Sequence, residues 1–283
     1  MVKRSIKFFL ILFLSIFIIN FIYYYTKKPY NAALIKISGV INEESTNTWI
    51  RQIKKVKKNR EYKAVMIEIN SPGGSANASE RLFIAIKDMN QEKPVVVLVK
   101  GVCASGAYYA ACGARKIVAY PTSIVGSIGV LFESVNISKL SNKVGVSAFV
   151  VKSGKVKDVG NPFREPTIED KIMLQRVVNG IYDAFLTTVS TSRHINKEKL
   201  KQYADGSVFC AKDALKIGLI DSIGDEDAAI GILKQISGLK EINFYEVKPK
   251  KSIIKELLGE KVSFLVDYMY MLLNPSVKAI FYD

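Results

Sequence analysis

The fold class is decided at residues 100–130, KGVCASGAYYAACGARKIVAYPTSIVGSIGV. The run before this stretch, residues 94–99, is short, apolar and rich in β-branched side chains, as is typical of a strand buried on both faces. After Ser105, the small residues at 106–111 favour a closely packed helix. The chain is therefore predicted to pass from a buried strand into a helix through a turn that contains a single serine.

Ser105 is a candidate nucleophile. A serine at a strand-to-helix turn holds its hydroxyl near the helix N-terminus, where free backbone N–H groups can stabilise a developing oxyanion. The complete G-x-S-x-G pattern of a nucleophile elbow is absent from this stretch. On these residues alone, the alternative is a serine that caps the N-terminus of a buried helix.

The general base that such a serine needs is restricted by composition, because His194 is the only histidine of the chain. It lies in a polar stretch at the end of a helix predicted over 167–192, where a solvated or C-capping role is typical. A serine nucleophile here would therefore use a lysine base, as in the Ser-Lys variant of the catalytic triad. Lys155 and Lys157 follow a strand predicted over 146–152, and their spacing puts both on one side of an extended chain without choosing between them.

A second turn, NSPGGS at residues 70–75, follows a strand predicted over 62–69. Its adjacent glycines, Gly73 and Gly74, can adopt backbone angles closed to other residues, and they leave their N–H groups unshielded by a side chain. The turn is either one wall of an oxyanion hole or an ordinary tight connection between a strand and a helix.

Strand, turn and helix continue to alternate, which predicts an α/β domain with a mainly parallel sheet. The other predicted elements are an extended segment over 33–41, helices over 43–60, 79–89, 211–217 and 226–236, and strands over 116–120 and 241–247.

Composition limits the functional class. The 283 residues, 49% of them hydrophobic, suffice for one sizeable core, so we expect one catalytic domain with attachments. The net charge of +15 suits nucleic acid, an anionic membrane surface or a lysine-rich proteome, but no zinc-finger spacing or RNP motif accompanies it, so no nucleic-acid partner is expected. No cofactor or metal ion is expected. Cys103, Cys112 and Cys210 form no C-x-x-C pair and are interpreted as small buried apolar residues.

The N-terminal segment has the composition of a membrane anchor. Residues 8–25 carry no charge and are long enough to span a bilayer as a helix. Basic residues at 3, 4 and 7 favour a cytoplasmic N-terminus, so the rest of the chain is expected outside the cytoplasm. A cleaved signal peptide is the alternative, although the apolar region is long and no A-x-A-like site precedes Tyr30.

The predicted organisation is an anchor over 1–29, a catalytic domain over 30–249 and an apolar tail over 250–283. The tail is interrupted by charges and by Pro275, which disfavours a second span. A helix that lies on the membrane or against a neighbouring subunit is the better interpretation.

Several motifs, taken together and in this order, resemble the short form of the signal peptide peptidase A family. The resemblance covers about residues 33–247 and includes the N-terminal anchor. Any one of the motifs is a weak indicator of this family, whereas the whole series in this order is specific for it. The motifs are NSPGGS at 70–75, CASGAYYAA at 103–111, VGSIGV at 125–130, SGKVKD at 153–158 with PFREPT at 162–167, and ADGSVF at 204–209 with IGLID at 217–221.

The resemblance implies roles for individual residues. The family's nucleophile falls on Ser105, and its base, the lysine of S-G-x-x-K-D, falls on Lys157 rather than Lys155. Ser127 is the implied partner of the lysine amine, and Gly73 or Gly74 is the implied oxyanion donor alongside the Ser105 N–H. Ala107 stands where the family often has a second glycine, which would narrow the pocket without removing the chemistry.

The resemblance also implies a crotonase-like and Clp-protease-like α/β fold of repeated ββα units. It implies ring-shaped homo-oligomers with active sites shared between neighbours, and an endopeptidase that degrades leftover signal peptides at the membrane. Three alternatives remain open: a related membrane protease that cleaves stomatin-like proteins, an acyl-CoA enzyme of crotonase type, and a non-catalytic membrane scaffold that binds peptides.

Overall fold

The computed structural model describes residues 13–15, 29–248 and 278–280. The predicted anchor over 8–25 lies outside the described residues except for 13–15, which are helical. The predicted tail over 250–283 also lies outside them, apart from 278–280. Within the described part, no helix has both the length and the apolar character needed to cross a membrane.

Strands and helices alternate through the domain as predicted. The strands are β1 (Ala32–Ser38), β2 (Ala64–Ser71), β3 (Gly73–Ser75), β4 (Val95–Ala104), β5 (Lys116–Ala119), β6 (Ile124–Gly126), β7 (Val208–Cys210), β8 (Ser222–Ile223), β9 (Phe244–Glu246) and β10 (Lys278–Ile280). The helices are α1 (Glu43–Lys58), α2 (Ala76–Glu92), α3 (Gly106–Ala111), α4 (Ser138–Lys143), α5 (Ile168–Arg193), α6 (Lys197–Lys201), α7 (Ala211–Ile217) and α8 (Glu226–Ser237).

The main sheet has eight strands, six of them in the order β7-β6-β4-β2-β1-β9. Off this path, β5 pairs with β4, and β8 pairs with β5. Every pair in it is parallel except β6 with β7. The central strand β4 pairs with β5 through residues 96–99 and with β6 through residues 102–104. This split gives the C-terminal end of β4, which leads into Ser105, a different neighbour from its N-terminal part.

Both faces of the sheet are covered, as the uninterrupted apolar run at 94–99 predicts. Val95, Val97 and Val99 point into the larger core, which also contains side chains of α1, α2, α3 and α5. Val96 and Leu98 point to the opposite face, where α8 packs. The side chains of residues 95–99 therefore alternate between two buried layers.

The prediction of a strand over 146–152 is wrong. These residues form no strand, and Phe149 and Val151 are 93% and 84% exposed. The alternating apolar pattern is present, but a β-strand requires a hydrogen-bonded neighbour, and the described residues place none beside this segment. The interpretation of Cys210 as buried is also wrong, because its side chain is exposed, whereas Cys103 and Cys112 are buried.

The long helix α5 begins where the sequence predicted. Thr167 caps it, with its hydroxyl accepting from the Asp170 amide at 3.1 Å. Its C-terminal half packs into the core through Phe185 and Val189. In the N-terminal half of the helix, by contrast, the apolar side chain of Ile172 is 56% exposed. The helix ends at His194, whose left-handed backbone forms the predicted C-cap.

Candidate active site

Ser105 occupies a backbone conformation that is rare for a residue with a side chain. Its φ of 54° and ψ of −122° turn the chain sharply from β4 into α3. The residue is 1% exposed, and its hydroxyl has no hydrogen-bond partner among the described residues. The side chain makes no capping hydrogen bond to α3. The capping interpretation is therefore not supported, and the turn presents a strained serine with a free Oγ.

The backbone around Ser105 is fixed on both sides. The Ser105 amide donates to the Gly126 carbonyl at 2.7 Å, and the Ser105 carbonyl accepts from the Tyr109 amide at 2.9 Å. The Ser105 N–H is therefore not free to bind an oxyanion, contrary to the expectation from the resemblance. The next amide, that of Gly106, is at the first position of α3, where the helix has no acceptor for it.

Two tyrosines of helix α3 bind neighbouring parts of the chain through hydrogen bonds. The Tyr108 hydroxyl donates to the Leu219 carbonyl at 2.8 Å, and the Thr188 hydroxyl donates to the Tyr109 oxygen at 3.0 Å. Burial raises the pKa of the Tyr108 phenol well above its usual value, so this donor stays protonated. The small residues of α3 let the helix pack closely enough to make these bonds.

In the glycine turn, the structure separates the two glycines that the sequence left open. The Gly73 amide donates to the Ser71 hydroxyl at 3.1 Å, and the Gly73 carbonyl accepts from the Ile41 amide at 2.8 Å. The Ser75 amide donates to the Ile41 carbonyl at 2.8 Å. Because backbone groups alternate in direction along an extended segment, the amide of Gly74 points away from Ile41. Of the two glycine amides, only that of Gly74 points to the edge of β3 that faces away from Ile41.

Gly74 and Gly106 meet at the head of the Ser105 turn. A Cβ atom placed on Gly106 would lie 3.3 Å from the Gly74 nitrogen and 2.1 Å from the Ser79 Oγ. A Cβ atom on Gly74 would lie 2.1 Å from the Ile41 carbonyl oxygen. Only glycine therefore fits at either position without displacement of its neighbours, and the close approach brings two backbone amides beside Ser105.

The edge of β3 that faces away from Ile41 is covered by the short strand β10, which pairs with it in antiparallel register. Ala279 lies opposite Gly74. An extended peptide backbone thus lies along the glycine turn, in the manner by which a sheet edge accepts an added strand.

Ser127 directly follows Gly126, whose carbonyl accepts from the Ser105 amide. It is 6% exposed, has a φ of 52°, and donates from its amide to the Ser207 carbonyl at 2.8 Å. A cavity of about 570 Å³ is lined by Ser127 and by Asn179 and Tyr182 of α5. Ser127 therefore links the Gly126 carbonyl, which holds Ser105, to this cavity.

Lys157 is not brought to Ser105 within one chain. It lies in a turn outside the sheet, its side chain is exposed, and in the described part it bonds neither Ser105 nor Ser127. Its amide donates to the Gly154 carbonyl at 3.2 Å. The described residues of one chain therefore assemble the serine, its turn and the glycine amides, but not the base.

Two polar side chains near the candidate site were not singled out from the sequence. Asn70 fills the bulge where the β2–β4 register shifts, and its Oδ1 accepts from the Val102 amide at 3.0 Å. Arg164 joins the Lys157 turn to α5 through Asp158 and Asp170. A polar residue directly before a strand-ending turn was the available signal for Asn70.

Within the described ranges, no group of three or more His, Cys, Asp or Glu side chains is arranged to hold a metal ion.

Comparison with known families gives two matches. The profile of Peptidase family S49 matches residues 87–240, and that of Clp protease matches residues 21–125. Together these matched ranges include Ser105, both glycines of the turn, Ser127 and Lys157.

Individual relatives are similar over most of the chain. A protein of Methanocaldococcus jannaschii named as a protease is 38% identical over 207 residues, which is 72% of this chain and 67% of the relative. A protein of Enterococcus faecium named signal peptide peptidase SppA is 32% identical over 80% of this chain and 67% of its own length. Protease 4 of Salmonella typhi is 31% identical over 72% of this chain, but only 33% of its own length is covered.

Proposed function

The chain belongs to Peptidase family S49 and is a serine peptidase with a Clp-protease-like α/β fold, and we propose that it is a membrane-anchored endopeptidase that degrades remnant signal peptides. We assign the nucleophile to Ser105 and the base to Lys157, with Ser127 as the partner of the lysine amine. The observation that carries the assignment is the buried Ser105 hydroxyl, which lies unpartnered among the described residues on a strained turn.

In this mechanism, the Ser105 Oγ attacks the carbonyl carbon of the scissile peptide bond. Neutral Lys157 takes the hydroxyl proton and then delivers it to the departing amine, which leaves an acyl-enzyme ester on Ser105. Lys157 next takes a proton from a water molecule that attacks the ester and delivers it to the Ser105 Oγ as the bond to the acyl carbon breaks, so the serine and the neutral lysine are restored and the carboxylic acid product leaves. The base is neutral at the start of each half-reaction.

The oxyanion of each tetrahedral intermediate is placed against the amides of Gly74 and Gly106. Both belong to glycines at which a Cβ atom would collide with a neighbour, Ile41 for Gly74 and Ser79 for Gly106. Fixed backbone donors stabilise charge as it develops without reorganisation, which is the main source of catalysis in sites of this type. Gly73 is excluded from this role because its amide already donates to Ser71.

We assign the completion of the site to a neighbouring copy of the chain. Lys157 is exposed in one protomer, and the segment that precedes it carries apolar side chains in water, with Phe149 93% exposed. Burial of such a segment against a neighbour is the ordinary fate of exposed apolar surface. An ordinary lysine, with a pKa of about 10.4, is almost wholly protonated at neutral pH. Burial against the neighbour would remove Lys157 from water, and loss of solvation favours the neutral form that a base requires.

The membrane location and the substrate rest on the sequence. The apolar segment over 8–25 is the proposed anchor, with the peptidase domain outside the cytoplasm. Signal peptides remain in the bilayer after cleavage from their preproteins, so a tethered enzyme meets them at the same surface. The name of the Enterococcus faecium relative is in line with this substrate class.

The test is cleavage of a synthetic signal peptide by the full chain in detergent micelles. Ser105→Ala and Lys157→Ala should each abolish cleavage while the assembled state persists by size-exclusion chromatography. Lys155→Ala is the matched control, since Lys155 is an exposed lysine in the same turn, and it should retain activity. Cleavage by Ser105→Ala would refute the nucleophile, and cleavage of folded soluble proteins at a rate equal to that of signal peptides would refute the substrate class.

A further inference from the structure

The turn that carries Lys157 is held to the first turn of α5 by one arginine. The Arg164 Nε donates to the Asp158 Oδ2 at 2.9 Å, and its Nη2 donates to the Asp158 Oδ1 at 2.9 Å. On its other side, the Arg164 Nη1 donates to the Asp170 Oδ2 at 2.5 Å, and Nη2 approaches the Asp170 Oδ1 at 3.1 Å. The guanidinium is therefore paired at two points with each of two carboxylates.

These groups are withdrawn from water although they belong to a largely exposed segment. The side chains of Asp158 and Asp170 are 12% and 2% exposed, and that of Arg164 is 26% exposed. Asp170 is fixed further by the Thr167 amide, which donates to its Oδ2 at 2.9 Å. The carboxylate of Asp158 is thereby tied to the rigid start of a long helix.

Lys152, which precedes the turn, binds the same Asp158 carboxylate. The Lys152 Nζ donates to the Asp158 Oδ1 at 2.6 Å and to the Lys155 carbonyl at 2.9 Å. Within the turn, the Lys157 amide donates to the Gly154 carbonyl at 3.2 Å, and the Asn161 amide donates to the Asp158 carbonyl at 3.0 Å. The backbone on both sides of Lys157 is thus fixed, while its own side chain remains free to project outward.

Charge gives this arrangement a chemical consequence. Asp158 is the residue next to Lys157, and an unpaired carboxylate beside an ammonium group favours the protonated form. A general base has to be neutral before it can act. Hydrogen bonds from Arg164, and then from Lys152, hold the pKa of Asp158 well below its usual range, so the carboxylate stays charged and matched by cations.

We propose that Arg164 is a positioning residue for the peptidase reaction: it orients the Lys157 turn through Asp158 and cancels the carboxylate charge beside the base. The charged side chains that contact one another in this cluster are Lys152, Asp158, Arg164 and Asp170. Lys155 and Glu165 take part through their backbone carbonyls, which accept from Lys152 and Arg164. Lys152 and Arg164 balance Asp158 and Asp170, so loss of Arg164 leaves one net negative charge in the cluster. The inference rests on the proposed role of Lys157.

The test compares Arg164→Met, Arg164→Lys and the double variant Arg164→Met/Asp158→Asn in the full chain. The first readout is the pH dependence of kcat for peptide cleavage. In Arg164→Met the alkaline rise of kcat should shift upward by roughly half to one pH unit, the size expected for one unbalanced charge near the protein surface. Arg164→Lys keeps the charge but loses the two-point geometry, so kcat should fall without this shift. The double variant should return the rise toward its original position.

The second readout does not use activity. Competitive acetylation at pH 8 measures the neutral fraction of each lysine, with Lys155 as the internal reference in the same turn. The Lys157 to Lys155 labelling ratio should fall about threefold to tenfold in Arg164→Met, in line with the same charge effect. Since the ratio is measured without substrate, it separates this inference from the proposed function, which fails if Lys157→Ala still cleaves peptide.

An unchanged pH profile together with an unchanged labelling ratio in a folded Arg164→Met enzyme would overturn the inference. A loss of active enzyme with no shift of either readout would also overturn it, because it would show a purely structural role. If Arg164→Met does not fold, Arg164→Lys decides: a kcat equal to that of the original enzyme would show that two-point pairing is not needed.

Discussion

The amide of Ser105 lies 2.7 Å from the carbonyl oxygen of Gly126, and this hydrogen bond joins the serine turn at the end of β4 to the end of β6. It continues the β4–β6 ladder by one residue beyond the pair formed by Ala104 and Gly126. Ser105 and Ser127 are therefore the residues that come directly after the last pair of this ladder, and both have positive φ angles. The geometry of the serine depends on a glycine in a strand that is 21 positions further along the chain.

Gly126→Ala should impair the serine turn. Gly126 has a φ of 110°, and an added Cβ would lie 2.9 Å from the Phe209 ring and 3.1 Å from the Ser207 carbonyl oxygen. We expect kcat to fall about 10-fold to 100-fold through misplacement of Ser105, and the free energy of unfolding to fall by about 1–3 kcal/mol. Gly129→Ala is the matched control, since its Cβ would meet only Gly206 at 3.3 Å. Equal kcat values for the two variants would contradict the argument.

A second prediction concerns the amides of the proposed oxyanion site. Gly106→Ala places a methyl group 2.1 Å from the Ser79 Oγ and 3.3 Å from the Gly74 nitrogen, so the two donors are forced apart. Loss of one oxyanion donor costs about 100-fold to 1,000-fold in kcat in comparable sites. Single-turnover acylation by a chromogenic ester measures this step directly.

The double variant Gly106→Ala/Ser79→Gly provides the control for this steric cause. Removal of the Ser79 side chain clears the space that the new methyl group needs, and acylation should recover in part. Equal rates for the single and double variants would show that the Ser79 contact is not the reason for the loss.

The paired carboxylates predict how the protein responds to acid. Hydrogen bonds from Arg164 lower the pKa of Asp158 and of Asp170 below the ordinary value of 3.8. A carboxyl group with a lowered folded-state pKa stabilises the folded state above its ordinary value, and the contribution is lost as the pH falls from there toward the folded-state pKa. Urea unfolding midpoints should therefore drop below about pH 4. Arg164→Met should show a smaller drop over the same interval, and parallel curves for the two proteins would argue against this linkage.

Much of the fold follows from local sequence, whereas part of the site does not. The buried strand at 94–99, the serine turn and the start of α5 near residue 167 were predicted because each is determined by neighbouring residues. The strand predicted over 146–152 failed because its pattern requires a sheet neighbour that sequence cannot supply. The choice between Gly73 and Gly74 depended on contacts with Ser71 and Ile41, which the sequence does not show. The pairing of Arg164 with Asp158 and Asp170 depended on how a turn folds back onto a helix.

Strand β10 predicts an effect of the C-terminal segment on activity. It lies along β3 with Ala279 opposite Gly74. It therefore covers the edge of β3 to which the amide of Gly74, the proposed oxyanion donor, points. A peptide substrate that adds to the same edge has to displace it, which raises the apparent KM. A chain that ends at Lys248 should therefore have a lower KM for a short peptide and an unchanged kcat.

Ala279→Pro is the smaller change that tests the same contact, because proline removes one backbone donor from the pairing. It should lower KM in the same direction as the truncation. A KM that is unchanged in both variants would show that β10 does not compete with substrate.

The final prediction concerns the distance between Ser105 and its base. In one chain, Ser105 is buried without a partner among the described residues, and Lys157 is exposed on a turn outside the sheet. If a neighbouring copy supplies the base, Ser105→Ala and Lys157→Ala are inactive alone but complement each other in mixed assemblies. Random mixing at equal amounts restores about one quarter of the sites, because each site needs an intact serine from one copy and an intact lysine from the next in a head-to-tail ring.

The measurement is peptide cleavage by co-expressed variants that carry different affinity tags and are purified through both. Recovery near this fraction supports a shared site. Mixed assemblies that form but remain inactive would place serine and base in the same chain, and Lys157 would then have to reach Ser105 by a rearrangement of its turn. A mixture that carries Lys155→Ala in place of Lys157→Ala provides the reference, since its intact Ser105 copies should retain about half of full activity by the same counting.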